Sequence, residues 1–167
     1  MLSILYNIRM KIVVCGVGAL DRGDDGFGPY VIEQLGVSDT VVKFDCGLYP
    51  ENYLNKIIAL APDLVMFFDA VAGGETGPVM LKNEEIAEQS PVSVTTHSLS
   101  FGAIYDFLRE NGVEHVFFLG LPAISYELFS ESNKMIADRL IAVLNNIDTA
   151  SGLSIISLYE ALSEEIR

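Results

Sequence analysis

The chain has 167 residues, 50% of them hydrophobic, with 23 acidic against 10 basic side chains and a formal net charge of -13. That length and apolar content provide for one sizeable core and exclude a disordered chain. The acidic excess, with no cluster of Lys and Arg interleaved with aromatics, argues against nucleic acid and anionic membrane surfaces as partners, and no apolar run is long enough to span a bilayer. The balance fits a soluble cytoplasmic protein that meets protein or cationic partners.

Residues 1–9 (MLSILYNIR) are apolar but short and lack a small-residue cleavage site. They read as an N-terminal extension, with Met10 as the natural start. Lys11–Gly16 (KIVVCG) has the pattern of a buried parallel strand, and Asp24–Gly36 reads as an amphipathic helix with Phe27, Val31 and Leu35 on one face. Val41–Asp45 is a second strand, Pro50–Leu60 a second helix, and Asp63–Asp69 (DLVMFFD) a third strand. A glycine-rich turn at Gly73–Gly77 leads to Pro78–Lys82, an edge strand because its proline cannot donate to a central ladder. Ser98–Asn111 reads as a helix stopped by Gly112, Val116–Leu119 as a core strand, and Ser130–Asn146 as a helix capped by Ser130. In that helix Ile136, Leu140, Val143, Leu144 and Ile147 keep helical spacing.

The alternation of strand and helix predicts a single α/β domain over residues 10–147, followed by an amphipathic C-terminal tail over residues 148–167 whose docking the sequence leaves open. The sheet is expected to be doubly wound and mostly parallel, with one antiparallel edge strand and helices on both faces. Cys15 and Cys46 form no CxxC pair and are too few for a disulfide framework or a zinc site, so they read as structural thiols.

In such a sheet, ligands collect beyond the carboxyl ends of the strands, where strand order reverses. The first strand runs there into GVGALDRGDDGFG (residues 16–28), a glycine loop that delivers Asp24 and Asp25 to a helix start. The pattern argues against a dinucleotide site, because Asp21 stands at the third glycine position and the two carboxylates would repel a pyrophosphate. The pair could hold a cation or orient a water; equally, it could only cap the helix. Asp69 at the tip of an apolar strand is either a turn residue or a second rim acid, and His97 in Thr95-Thr96-His97-Ser98 brings an imidazole to a third loop of the same rim. Together, Asp25, Asp69 and His97 form a set suited to a borderline divalent metal such as nickel or zinc. Ser98 beside His97 lacks a GxSxG elbow, and His115 lies at a strand entrance away from the rim. Asp45 and Cys46 could line the same crevice, although turn chemistry and packing explain them as well.

With these motifs in place, GVGALDRGDDGFGP, FFDAV, TTHSL and VFFLGLP resemble, in order and over about Lys11–Asn146, the [NiFe]-hydrogenase maturation endopeptidases, most closely the branch serving energy-converting hydrogenases. The resemblance implies an aspartyl-type hydrolase that removes the C-terminal extension of a nickel-loaded large-subunit precursor. It also implies that nickel is supplied by the substrate, with no tightly bound cofactor in the enzyme, and that the metal-sensing acid, second acid and histidine fall on Asp25, Asp69 and His97. On this reading Asp25→Asn or His97→Ala yields a folded chain that fails to process precursor. Ala19 departs from the asparagine usual after the first GxG, so an amide that could bond the loop or substrate is missing. Two other classes share part of the pattern. A receiver-like signalling domain would explain Asp24, Asp25 and Asp69, but not His97 or the Gly120-Leu121-Pro122 ending where a receiver needs lysine. A metal-dependent small-molecule hydrolase would bind its own ion through the same three side chains, and a catalytically idle homologue would only bind nickel or a maturation chaperone. The client hydrogenase, the scissile bond and the oligomeric state are not encoded in any motif.

Overall fold

A computed structural model of the chain describes residues 10–72, 77–89, 100–149 and 152–167. The 1–9 extension, Gly73–Thr76 of the expected turn, and His97 with Ser98 lie outside the described residues.

The apolar run after Lys11 forms β1 (Ile12–Gly16), in which every residue is buried. β2 (Val41–Asp45) pairs with one side of β1 and β3 (Leu64–Val71) with the other, both parallel. β5 (Val116–Pro122) lies parallel beside β3, and β4 (Val79–Lys82) closes the far edge antiparallel to β5. The five-stranded order is thus β2-β1-β3-β5-β4, so strand order reverses between β1 and β3. That reversal opens the crevice in which ligands bind in such sheets. The mostly parallel sheet with its antiparallel edge strand is the architecture the sequence predicted.

Alternate residues of each central strand face opposite layers. One layer packs Ile12, Val14, Met66, Phe68, Phe117 and Leu119 under α1 (Phe27–Gln34), α5 (Glu131–Asn145) and α6 (Ile155–Glu165). The other packs Val13, Cys15, Val65, Phe67 and Phe118 under α2 (Leu54–Ala59), α3 (Glu84–Gln89) and α4 (Phe101–Glu110). The C-terminal segment docks through Leu158 and Leu162, both buried in the first layer, while Ser154 and Ser157 form a capping box at the start of α6.

Three local expectations change. Gly23–Gly26 is a 3-10 turn, so α1 begins at Phe27 rather than Asp24, and Pro50–Tyr53 likewise forms a 3-10 lead-in to α2. β3 continues through Val71 because β5 keeps pairing with it, so Asp69 sits within the strand opposite Gly120 rather than at its tip. β1 stops at Gly16 opposite Phe68, which makes Asp69 the first β3 residue without a β1 neighbour in the ladder.

Gly28 explains how α1 meets the sheet. A Cβ there would strike the Phe68 carbonyl oxygen and the Val17 backbone, so only glycine lets the helix come this close to the reversal point. Gly28→Ala is expected to destabilise the protein by about 1–3 kcal/mol, the usual cost of overpacking. Urea unfolding measures it, and an unchanged midpoint would refute the close-packing account.

Candidate active site

The loop after β1 folds back on itself through its own backbone. Val17 N–H donates to the Phe68 carbonyl at 2.9 Å and Gly18 N–H to the Gly47 carbonyl at 2.9 Å, tying the loop to β3 and to the segment after β2. Ala19 N–H donates to the Asp25 carbonyl at 3.2 Å, and Asp25 N–H to the Arg22 carbonyl at 3.1 Å. The loop therefore closes with alanine at position 19 and no side-chain amide.

This geometry assigns the adjacent aspartates different tasks. Asp24 is fully buried, yet it does not cap the helix that follows. Its Oδ1 accepts from Ser130 N–H at 2.7 Å and Ser130 Oγ–H at 2.8 Å, and its Oδ2 accepts from Ile124 and Ser125 N–H at 2.9 Å each. Asp24 N–H in turn donates to the Ser125 carbonyl at 2.8 Å. Burial pushes the Asp24 carboxyl upward, but the donors of Ser130, Ser125 and Ile124 outweigh it and hold the group below its ordinary value. Asp24 is a clasp between the β1 loop and the segment after β5. Ser130 does occupy the cap position of α5, but its hydroxyl serves Asp24 instead of the helix.

Asp25 is also buried, at 3% exposure. Its Oδ2 has no hydrogen-bond partner among the described residues. The Arg22 Nη1 atom stands 3.7 Å from that oxygen, within ion-pair range but beyond a hydrogen bond, and the Arg22 side chain is half exposed. The guanidinium also lies 5.9 Å from the centre of the Tyr126 ring. A buried carboxylate oxygen left without donors is costly for the fold and available to a cation or a proton from outside.

Asp69 is completely buried, and its Oδ1 accepts from Ala70 N–H at 2.8 Å. The Gly23–Gly26 turn carrying Asp25 packs against β3, which carries Asp69, so the two predicted acids lie on elements in contact. His97, the third predicted member, lies outside the described residues. Among the described residues no group of three His, Cys, Asp or Glu converges to hold a metal.

The remaining candidates take other roles. Asp45 is exposed and its Oδ1 accepts from Gly47 N–H at 3.1 Å, a turn role. Cys15 and Cys46 are buried free thiols, and burial, reinforced by Cys46, pushes the Cys15 thiol well up, which suits packing rather than nucleophilic attack. His115 lies at the entrance of β5 and lines cavities of about 460 and 520 Å³ at the end of the sheet opposite the two acids.

Sequence reasoning missed Arg22 and Ser125 and read Ser130 only as a helix cap. The two serines hold a shelf of chain after β5 in place. Ser125 Oγ accepts from Glu127 and Leu128 N–H at 3.2 Å each, Ala123 N–H donates to the Val71 carbonyl at 2.9 Å, and buried Asn133 Nδ2 donates to the Pro122 carbonyl at 2.8 Å. Gly23, at φ 57°, lets the Ser125–Glu127 backbone pack directly on the turn.

No protein-family model matches the chain. It is similar to the crystal structure of the [NiFe] hydrogenase maturation protease HycI from Thermococcus kodakarensis KOD1, with 31% identity and a TM-score of 0.70 over 87% of this chain and 96% of that one. The crystal structure of a hydrogenase 3 maturation protease aligns with a TM-score of 0.69 at 25% identity, covering 83% of this chain and 91% of its own. A protein of Methanocaldococcus jannaschii described as a candidate hydrogenase maturation protease is 26% identical over 161 residues, 88% of this chain and 93% of its own length.

Proposed function

The chain belongs to the [NiFe] hydrogenase maturation protease family, and on that premise we propose that Asp25 and Asp69, together with His97, reach toward a nickel ion carried by its protein substrate. It is a hydrogenase maturation endopeptidase, a hydrolase. Its substrate on this proposal is the nickel-loaded large-subunit precursor, from which it releases a C-terminal extension by cutting one peptide bond. The enzyme holds no metal of its own; the metal is part of what it recognises.

The observation that carries this reading is the contrast between neighbours. Asp24 uses its carboxylate to join two loops, whereas Asp25 keeps a buried oxygen with no hydrogen-bond partner among the described residues. An oxygen already stripped of water offers a divalent cation a ligand with little further desolvation. Asp69, held by Ala70 N–H on a strand rather than a loop, supplies a second fixed carboxylate on an element in contact with the turn that carries Asp25. A carboxylate beside the scissile carbonyl can take the proton of the attacking water and return it to the departing amine, which gives the site its aspartyl character. The acidic surface and the free thiols support action in the cytoplasm. No helix among the described residues is long and apolar enough to cross a membrane.

The test is incubation of the protein with a large-subunit precursor, loaded or not loaded with nickel, while the precursor's mass is followed. One nickel-dependent loss of a C-terminal peptide is expected. No cleavage of a precursor shown to be loaded would overturn the proposal.

A further inference from the structure

An endopeptidase must hold its substrate beside the reacting bond as well as at it. The segment between β5 and α5 has the features of such a holder. It carries three large apolar side chains toward solvent, Ile124 at 58%, Tyr126 at 48% and Leu128 at 75% exposure, within five residues. Exposed apolar side chains this close together mark a contact surface more often than a scattered few do. The segment that bears them is unusually fixed. Asp24 takes four hydrogen bonds from it, Ser125 braces it from within, and Val71 and Asn133 hold its base.

The shelf is also continuous with the chemistry. Asp24 adjoins Asp25 in the chain, and Arg22 touches both sides, with its Nη1 3.7 Å from Asp25 Oδ2 and its guanidinium 5.9 Å from the Tyr126 ring centre. Leu20, 54% exposed, extends the apolar surface onto the β1 loop. A flexible segment with these side chains could be an incidental loop; one clasped to the residue beside the candidate metal ligand presents them at a fixed distance from the reacting bond.

We infer that Ile124, Tyr126 and Leu128 form the seat for apolar side chains of the precursor flanking the scissile bond, and that Asp24 is the positioning residue that holds this seat against Asp25. The inference rests on the endopeptidase reading above and adds the chain segment, as distinct from the metal, as a recognised feature. The seat reads the polypeptide and Asp25 the ion, so the two contributions separate experimentally.

The experiment compares full-length wild type, Ile124→Ser/Leu128→Ser, and the control Ile156→Ser, which removes an exposed isoleucine far from the shelf. Processing of nickel-loaded precursor gives KM and kcat, and binding of nickel-free precursor is measured in parallel. The double variant is expected to raise KM about tenfold or more with kcat within about twofold, to weaken binding of nickel-free precursor by a similar factor, and to melt like wild type. The control should match wild type in every readout. If wild type itself fails to process loaded precursor, the function reading falls first. If wild type processes and the double variant keeps its KM, the seat is overturned alone. A double variant that loses kcat with KM unchanged overturns it as well, because the side chains would then act on the reaction rather than on substrate binding.

Discussion

Asp25→Asn is expected to leave the fold intact and to lower kcat/KM for nickel-loaded precursor about a thousandfold, the scale on which loss of a single charged catalytic group is felt. The stability half of this prediction comes from Oδ2, which accepts no hydrogen bond among the described residues and faces only the half-exposed Arg22 guanidinium at 3.7 Å, a pair worth little. A buried carboxylate oxygen without a donor among the described residues contributes no hydrogen bond that the substitution could remove, and the near-isosteric amide lowers the cost of keeping charge in the interior. The melting temperature should therefore stay level or rise. The activity half comes from chemistry, since an amide oxygen is a far weaker ligand for a divalent ion than a carboxylate and cannot accept a proton from water. Processing assays and thermal melts on one preparation check both halves together. Near-normal processing would remove Asp25 from the mechanism, and a large drop in melting temperature would make it a structural residue.

The neighbouring position should behave oppositely. Asp24→Ala withdraws the acceptor from three backbone N–H groups and a hydroxyl of the segment after β5, leaving them to find other partners. Breaking a buried charged network of this kind costs about 3–5 kcal/mol, which for a chain of this size lowers the melting temperature by roughly 10 °C or more. The pH dependence follows with its sign. The folded Asp24 carboxyl lies below its unfolded value, which is about 4, so its contribution is complete above that pH. The contribution is lost as pH falls through the lower folded value. The stability gap between wild type and Asp24→Ala should thus be widest near neutrality and shrink in acid. Chemical denaturation at pH 7 and pH 3 measures it, and an equal gap at both would show that the carboxylate's charge is not what joins the loops.

The sequence was informative wherever the controlling interactions were local. The β-branched run at Ile12–Gly16, the apolar Leu64–Phe68 and the proline before Val79 each announced a strand and, for the last, an edge. The mostly parallel sheet that carries both acids also followed from the alternation of elements. The different fates of Asp24 and Asp25 were not legible. The side chains are identical and adjacent, and what separates them is a set of donors 100 to 106 residues further on. The same limit hid the two residues by which β3 outruns Asp69, because strand length there is set by the ladder to β5 rather than by β3's own composition. The short 3-10 turn in place of a helical start and the small helix Glu84–Gln89 escaped for a simpler reason, being too short for periodicity to register.

The clasp at Asp24 also orders events in time. During synthesis Asp24 leaves the ribosome roughly a hundred residues before Ser125 and Ser130 do, so for most of elongation its carboxylate must stay hydrated and the loop around it unfinished. Closing a connection of that span carries a loop-closure cost that the early chain cannot offset, because its partners are not yet made. Asp25 is consequently enclosed only after the segment following β5 has been made. A protease that becomes competent last is inert toward other newly made proteins while it is itself still being made.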